Sequence, residues 1–381
     1  MRIIYVINVD WFFDSHFAHL ARRAKAEGYD VTIATHLTRD SSRYEDLGFR
    51  VVSLPPARGG MFPEHLIQSA ARVAQELKNE KGSILHAFGL FGIGVGTLAS
   101  LRTGHRRRVY SITGRGYSAV SRDAFARVIG FSTKEFCRRL ADGGGTYWLA
   151  ENSTDLEACG LERAVAEGRA AIVGGAGISP DEFRLLPMPP APPLRFATVA
   201  RMIWSKGIDT AVQGIRLARA NGADVTLTLA GGIDRYNPKA WSEDDVRSLA
   251  SEPGVEWVGH FGDIVRLWSE HHVALLPSRG GEGVPRSLIE AAACGRPFVT
   301  TDVPGCREFA KRCGTWAVAP DNPQGLAQVL HQVSRSKNLI DIGKVAREVV
   351  LDAYSEDQVW ASAANYYSLL DDSNPKFERT K

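Results

Sequence analysis

Residues 185–201 read LLPMPPAPPLRFATVAR. Five prolines between 187 and 193 hold the chain in a stiff, extended form unlike either flank. The run ends in RFATVA, an apolar, strand-like stretch. Upstream, short strand-like runs alternate with helical patterns: RIIYVIN (2–8), DVTIAT (30–35), FRVVSL (49–54), SILHAF (83–88), RRVYSIT (107–113), TYWLAE (146–151) and RAAIVGG (169–175). Downstream the alternation restarts: RFATVA, a helix from Lys206, DVTLTLAGG (224–232), a helix around 242–251, VEWVG (255–259), HVALLPS (272–278), a helix through Glu290, and PFVTT (297–301). Continuous apolar strands between helices predict parallel sheets covered on both faces. The expected fold is α/β: two doubly wound, Rossmann-like domains facing each other across a cleft. The first covers 1–186, with a helix at about 355–381 packing back on it, and the second covers 187–354.

Bulk composition agrees with a soluble globular protein. Of the 381 residues, 44% are hydrophobic and 23% charged, and the net charge of +3 does not describe a dedicated nucleic-acid binder. The five cysteines, Cys137, Cys159, Cys294, Cys306 and Cys313, include no C-x-x-C, which predicts reduced thiols and no zinc site. MRIIYVINVDWFF carries Asn8 and Asp10 and no small-residue cleavage site, so it reads as a first strand. The longest apolar stretch, Ala87 to Leu101, is 15 residues and rich in glycine; a membrane-spanning helix needs about 20.

Ligands in doubly wound sheets bind beyond the C-terminal ends of strands. After FATVA, Arg201 leaves the strand and Lys206 follows at the start of the next helix. Two cations beside a helix N-terminus suit a diphosphate; a solvated Arg and Lys pair is the plainer reading. Gly231 and Gly232 follow the next strand, and HFGDI (260–264) follows VEWVG. Such loops let backbone approach a ligand closely, or are simply turns. After HVALLPS, Glu282 sits among glycines, with the backbone of Gly283 and Val284 able to face a ligand. Glu290 is odd among Leu288, Ile289, Ala291, Ala292 and Ala293. A buried carboxylate needs a partner. Vicinal hydroxyls of a ribose would donate two hydrogen bonds to it; a salt bridge to Arg286 is the alternative.

The Glu-x7-Glu spacing, EGVPRSLIEAAACGRPFVTTDVPGCRE (282–308) and ARMIWSKG (200–207) together resemble the retaining glycosyltransferases of family four, which have the GT-B fold. NVDWFFDSHFAHLARRAKAEGYDVTIAT (8–35) and VGGAGISPDEF (173–183) also resemble bacterial members that build O-antigen, capsule, lipopolysaccharide or lipid-linked oligosaccharides. The resemblance implies a metal-independent hexosyltransferase (EC 2.4) with no cofactor. It would move a hexose, plain or N-acetylated, from a nucleotide sugar, with UDP favoured over GDP by the family, to a lipid-diphosphate or glycan acceptor. By analogy Arg201 and Lys206 hold the donor diphosphate and stabilise its growing charge. Glu290 holds the ribose. Glu282, with the Gly283–Pro285 backbone, holds the transferred sugar; Gly231 lies close to the donor, and Asp263 and Ile264 meet the base. Asp10, Trp11, His16 and Arg115 face the acceptor. Where relatives have a Gly-Gly pair in the loop from Asp10 to His16, this chain has Asp10-Trp11-Phe12-Phe13. The position of a mid-domain histidine in relatives matches either His86 or the Thr113–Gly116 segment.

The resemblance implies retention by a front-side route, the leaving phosphate taking the acceptor proton; Glu282 as a covalent nucleophile is the alternative. From Arg102 to Arg139 there are ten basic and two acidic residues, +8 net. Arg127, Lys134 and Arg138 recur at helical spacing beside Phe125, Val128, Ile129 and Phe136. Such a helix can lie on an anionic membrane surface, each nearby charge contributing about 1 kcal/mol; a core-packed helix with a solvated basic face is the plainer reading. The expected location is therefore cytoplasmic, peripheral at the inner face of the plasma membrane. No nucleic-acid role is expected, because the patch lacks interleaved aromatics. A GT-B-like sugar-nucleotide epimerase is the principal rival. A dinucleotide oxidoreductase would need G-x-G-x-x-G after the first strand, and Asn8–Ser15 contains no glycine.

Overall fold

The structure, a computed structural model, describes residues 1–56, 63–114, 124–235, 237 and 239–371. It forms two compact units: residues up to Gly177 together with those from Glu356 onward, and Ile178–Ser355.

The first unit is built on seven parallel strands: β1 Arg2–Val9, β2 Asp30–His36, β3 Arg50–Ser53, β4 Ile84–Phe88, β5 Arg108–Ile112, β6 Thr146–Ala150 and β7 Ala170–Ile172. Their order across the sheet is β3-β2-β1-β4-β5-β6-β7. Strand periodicity sends Ile3, Tyr5 and Ile7 into one apolar layer and Ile4 and Val6 into the other. The helix Glu356–Leu369 closes the first layer with Val359, Trp360, Ala363 and Tyr367. The helix Pro63–Asn79 closes the second with Val73 and Leu77.

The second unit has six parallel strands: β8 Leu194–Val199, β9 Val225–Ala230, β10 Val255–Gly259, β11 Val273–Leu276, β12 Phe298–Thr301 and β13 Trp316–Val318. They run in the order β10-β9-β8-β11-β12-β13. The chain first builds outward from β8 through β9 to β10, then restarts at β11 on the other side of β8. The C-terminal ends of β8 and β11 therefore form a topological switch point, where doubly wound sheets take ligands.

The proline-rich segment belongs to this second unit. Prolines offer carbonyls and no N–H, so their acceptors need donors from elsewhere. Arg296, only 1% exposed, supplies the donor for Pro187, while Arg195 donates to Pro190 and His272 contacts Pro189. The Arg296 guanidinium donates to the carbonyls of Leu186 at 3.1 Å, Pro187 at 2.7 Å and Trp268 at 2.8 Å. Burial brings its pKa down to about 10.

One local expectation is corrected. Asp10–His16 is a helix rather than a loop, with Asp10 in its first turn, where an acid complements the helix dipole. A second helix, Ala18–Ala26, follows after a break at Phe17 whose φ of −132° is not helical.

Candidate functional site

At the switch point, β8 runs out through Arg201 into a single 3-10 turn, Trp204–Lys206. Gly207 follows with φ of 67° and caps the helix Ile208–Ala220. A Cβ there would lie 2.0 Å from the carbonyl oxygen of Pro277, so only glycine lets the turn lie against the loop after β11. That loop is held from below. The hydroxyls of Thr198 and Thr300 donate to the carbonyls of Leu275 and Leu276 at 2.6 and 2.8 Å.

These two loops bring Lys206 and Glu282 together. Lys206 Nζ lies 2.6 Å from Glu282 Oε2, with the side chains 16% and 19% exposed. Glu282 Oε1 also accepts from the buried Ser278 hydroxyl at 2.9 Å. The backbone after Glu282 is pinned: a Cβ on Gly305 would come 1.6 Å from the carbonyl oxygen of Gly283. Cys306 lies nearby, its thiol pushed up to about 12 by burial and then by the Glu282 charge. It is a neutral thiol at physiological pH, not a nucleophile.

Arg279, which the sequence reading did not single out, organises the same corner. It donates to both oxygens of Asp209 at 2.9 Å, to Asp321 at 2.5 Å and to the carbonyl of Trp204 at 2.6 Å. Its backbone N–H donates to Ser205 at 2.7 Å. Burial opposes its charge, yet Asp209 and Asp321 outweigh this and raise its pKa above the ordinary arginine value. The only hint in the sequence was a charge inside a glycine-rich loop.

The other nominated residues have partners of their own. Arg201 is hydrogen-bonded to Asp234, 33 positions away. Glu290, 7% exposed on the helix Arg286–Ala293, accepts from Arg286 Nε at 2.6 Å through Oε1. The salt bridge weighed as the alternative is therefore present, on Oε1. Burial raises the Glu290 pKa; Arg286 opposes the rise and Glu182 adds to it. Gly231 approaches so closely that a Cβ would lie 1.7 Å from the Ala200 oxygen, and its own carbonyl accepts from Trp257 Nε1 at 2.9 Å. Asp263 caps the helix Ile264–Glu270 by accepting from the Arg266 N–H at 2.9 Å. Ile264 packs against the apolar core. Val284 is buried and Pro285 is the N-cap of the Glu290 helix.

In the first unit, Asp10 corrects an expectation. Its side chain is fully buried and accepts from the backbone N–H groups of Trp11, Thr38 and Arg39, the Thr38 hydroxyl and Arg43, at 2.7–3.2 Å. Burial pushes its pKa up, but Thr38, Arg43 and Trp11 more than offset this and hold it below the usual value. Five donors fill both oxygens, so Asp10 ties the first helix to the Thr38–Arg43 segment and has no capacity left for an acceptor. Trp11 is partly exposed, and so is His16, whose Nδ1 lies 2.7 Å from the Ser15 hydroxyl. Arg115 lies outside the described residues. His86 is fully buried: Nδ1 meets the Tyr367 hydroxyl at 2.6 Å and Nε2 meets Ser111 at 2.7 Å. Burial lowers its pKa to about 3, so it is a neutral core histidine.

In the basic stretch, residues 115–123 lie outside the described residues. The helix Ala124–Phe136 exposes Val128 at 61% and Phe131 at 68%. Arg138 and Arg139 both pair with Glu135, at 2.8 and 2.5 Å. Among the described residues no helix is long and apolar enough to cross a membrane.

Residues 193–336 match a family model described as glycosyl transferases group 1, and residues 2–135 match one described as glycosyl transferase 4-like. The chain is 30% identical over 176 residues to an N,N'-diacetylbacillosaminyl-diphospho-undecaprenol alpha-1,3-N-acetylgalactosaminyltransferase of Campylobacter jejuni, covering 45% of this chain and 43% of that one. It is 24% identical over 172 residues to the capsular polysaccharide biosynthesis glycosyltransferase CapM of Staphylococcus aureus, covering 45% and 44%. The chain spans about half the length of the curated relatives it matches. Among solved structures, a glycosyltransferase from Rickettsia africae superposes with a TM-score of 0.74 at 15% identity, covering 98% of this chain and 99% of that one. HepE of Anabaena, in complex with UDP and glucose, superposes with a TM-score of 0.72 at 17% identity, covering 97% and 99%. At such identities the likeness shows the fold.

Proposed function

We propose, from the premise that this chain belongs to the family-four glycosyltransferases of the GT-B fold, that it transfers a hexose from a UDP-linked sugar, with retention, to a lipid-diphosphate or polysaccharide acceptor in building a cell-surface glycan. The observation that carries the reading is the meeting of Lys206 and Glu282 on the two switch-point loops of the second sheet. The names of similar proteins support the substrate classes: one relative acts on a diphospho-undecaprenol acceptor, and one structural neighbour was solved with UDP and glucose.

The chemistry follows from charge. Breaking the sugar–phosphate bond leaves a nucleoside diphosphate whose negative charge grows in the transition state. Lys206, Arg201 and the N-terminus of the helix Ile208–Ala220 are the groups that stabilise it, and they serve in place of a divalent metal. Glu282 takes hydroxyls of the departing sugar. It is held by Lys206 and Ser278, an arrangement that supports orientation rather than nucleophilic attack. The acceptor hydroxyl then attacks from the face the phosphate leaves, and its proton passes to the leaving phosphate oxygen. Glu290 holds the ribose through Oε2 while Arg286 keeps Oε1. Trp11 and His16 are the described acceptor-side residues that remain once Asp10 is set aside.

The basic stretch from Arg102 to Arg139, with Val128 and Phe131 exposed on its helix, supports a peripheral seat on the anionic inner face of the plasma membrane, where a lipid-linked acceptor is found. The test is a thermal-shift panel of UDP, GDP and ADP sugars, followed by turnover with a polyprenyl-diphosphate acceptor. Stabilisation by a UDP sugar and acceptor-dependent release of UDP are expected. Conversion of the UDP sugar to its epimer without any acceptor would contradict the reading.

A further inference from the structure

The cations nominated for the diphosphate are both neutralised by the chain itself: Lys206 by Glu282 and Arg201 by Asp234. An anion entering this site finds both of these side chains already paired and must contend with a carboxylate. The Glu282 carboxylate cannot withdraw far. Ser278 holds one oxygen at 2.9 Å, and the next peptide is clamped where Gly305 meets the carbonyl of Gly283. Two outcomes remain when a diphosphate reaches Lys206. Either Glu282 gives up the ammonium group, or it stays and stands beside the phosphate as a like charge. Both disfavour a bare diphosphate, because a partly buried carboxylate loses its partner or gains a repulsion.

A sugar on the diphosphate changes this balance in two ways. Its hydroxyls donate to the Glu282 carboxylate and restore the lost hydrogen bonds. It also esterifies the terminal phosphate, which removes the second ionisation that a bare terminal phosphate undergoes near pH 6. Like-charge repulsion beside Glu282 is therefore smaller for the sugar nucleotide than for the spent nucleotide.

Resting on the donor-site reading above, we propose that Glu282 is a specificity-determining residue: as the internal counter-ion of Lys206, it favours the sugar-bearing diphosphate over the free nucleoside diphosphate. The site accepts donor and expels the nucleotide once the sugar has gone. Two properties of one side chain, its contact with Lys206 and its capacity for hydroxyl donors, produce the discrimination without any movement of the fold.

The experiment is calorimetric titration without acceptor, using UDP against UDP-glucose and UDP-N-acetylglucosamine, and GDP against GDP-mannose. It is run on the wild-type chain, Glu282→Gln and Glu282→Asp, each checked by thermal melting. In Glu282→Gln the ratio of the nucleotide Kd to the sugar-nucleotide Kd is expected to fall about tenfold, chiefly through tighter binding of the free nucleotide. Glu282→Asp keeps the charge and stays close to the wild-type ratio. Should Glu282→Gln fail to fold, Glu282→Ser tests the same loss of charge. An unchanged ratio in the neutral variant, or a free nucleotide that binds more weakly to it, overturns the inference and leaves the donor site standing. A wild-type chain that binds none of these nucleotides overturns both.

Discussion

Arg279 grips Asp209 through two hydrogen bonds of 2.9 Å each. The pair joins the loop after β11 to the first turn of the helix that follows Lys206, so one guanidinium sets the distance between the two loops that carry the site. Paired bonds of this kind fix angle as well as distance. Breaking a buried pair by removing one partner costs about 3–5 kcal/mol. Arg279→Ala is expected to lower the thermal midpoint and weaken UDP-sugar binding together. Arg279→Lys keeps the charge but cannot form the fork, so it should recover part of the stability and little of the binding. Full nucleotide affinity in Arg279→Lys, measured by titration, would show that the fork does not position Lys206.

His86 predicts a pH effect on stability with a definite sign. Its folded pKa of about 3 lies below the ordinary histidine value because burial disfavours the charged ring. Between those two values the unfolded chain binds a proton that the folded chain does not. Its contribution is therefore complete above about pH 6.5 and is lost as pH falls toward 3, at up to about 1.4 kcal/mol per pH unit. His86→Gln keeps hydrogen-bonding groups for Tyr367 and Ser111 without titrating. Denaturant unfolding between pH 7 and 4 should show a shallower pH slope in that variant; an identical slope would contradict the assignment.

Much of the fold was legible because parallel strands buried on both faces read as unbroken apolar runs, and twelve of them stand out between helical patterns. β13 escaped because Trp316–Val318 is three residues long at the sheet edge. The helix at Asp10–His16 escaped because Trp11, Phe12 and Phe13 are poor helix formers, and the helix depends on Asp10 being held by Thr38 and Arg43, which lie far along the chain. The site was legible where partners are near in sequence. The Arg286–Glu290 bridge spans one helical turn and could be weighed in advance. The Arg201–Asp234 and Arg279–Asp209 pairs bridge 33 and 70 positions and exist only once the strands are ordered.

Glu290 has one oxygen on Arg286, so its proposed part in donor binding falls to the other. Wild-type protein should bind UDP more tightly than 2′,3′-dideoxy-UDP, and Glu290→Gln should narrow that gap about tenfold. Equal affinity of the wild type for both nucleotides would reduce Glu290 to a structural ion pair.

The proposed independence of metal has a direct check. Under the proposed function, transfer of sugar from a UDP donor should persist after dialysis against EDTA, with Lys206 and Arg201 taking the charge of the leaving group. Loss of turnover restored by magnesium or manganese would contradict this.

Membrane seating is tested by vesicle co-sedimentation. Val128→Glu with Phe131→Glu removes two exposed apolar side chains, each contributing about 1.5–3 kcal/mol if buried in the interface, and adds negative charge. Binding to vesicles containing phosphatidylglycerol should fall at least about tenfold and should weaken with salt in the wild type. Unchanged binding would remove this helix from the account.

The most direct test of the central claim is titration of a UDP sugar into wild-type protein and Lys206→Ala, with folding followed by thermal melting. Lys206→Ala leaves the Glu282 carboxylate without its partner, so it should melt below the wild type yet still fold, and lose nucleotide binding by about a hundredfold, the effect of removing a charge-assisted contact to a diphosphate. A folded Lys206→Ala chain that binds the UDP sugar as tightly as the wild type would contradict the claim that this lysine holds the donor.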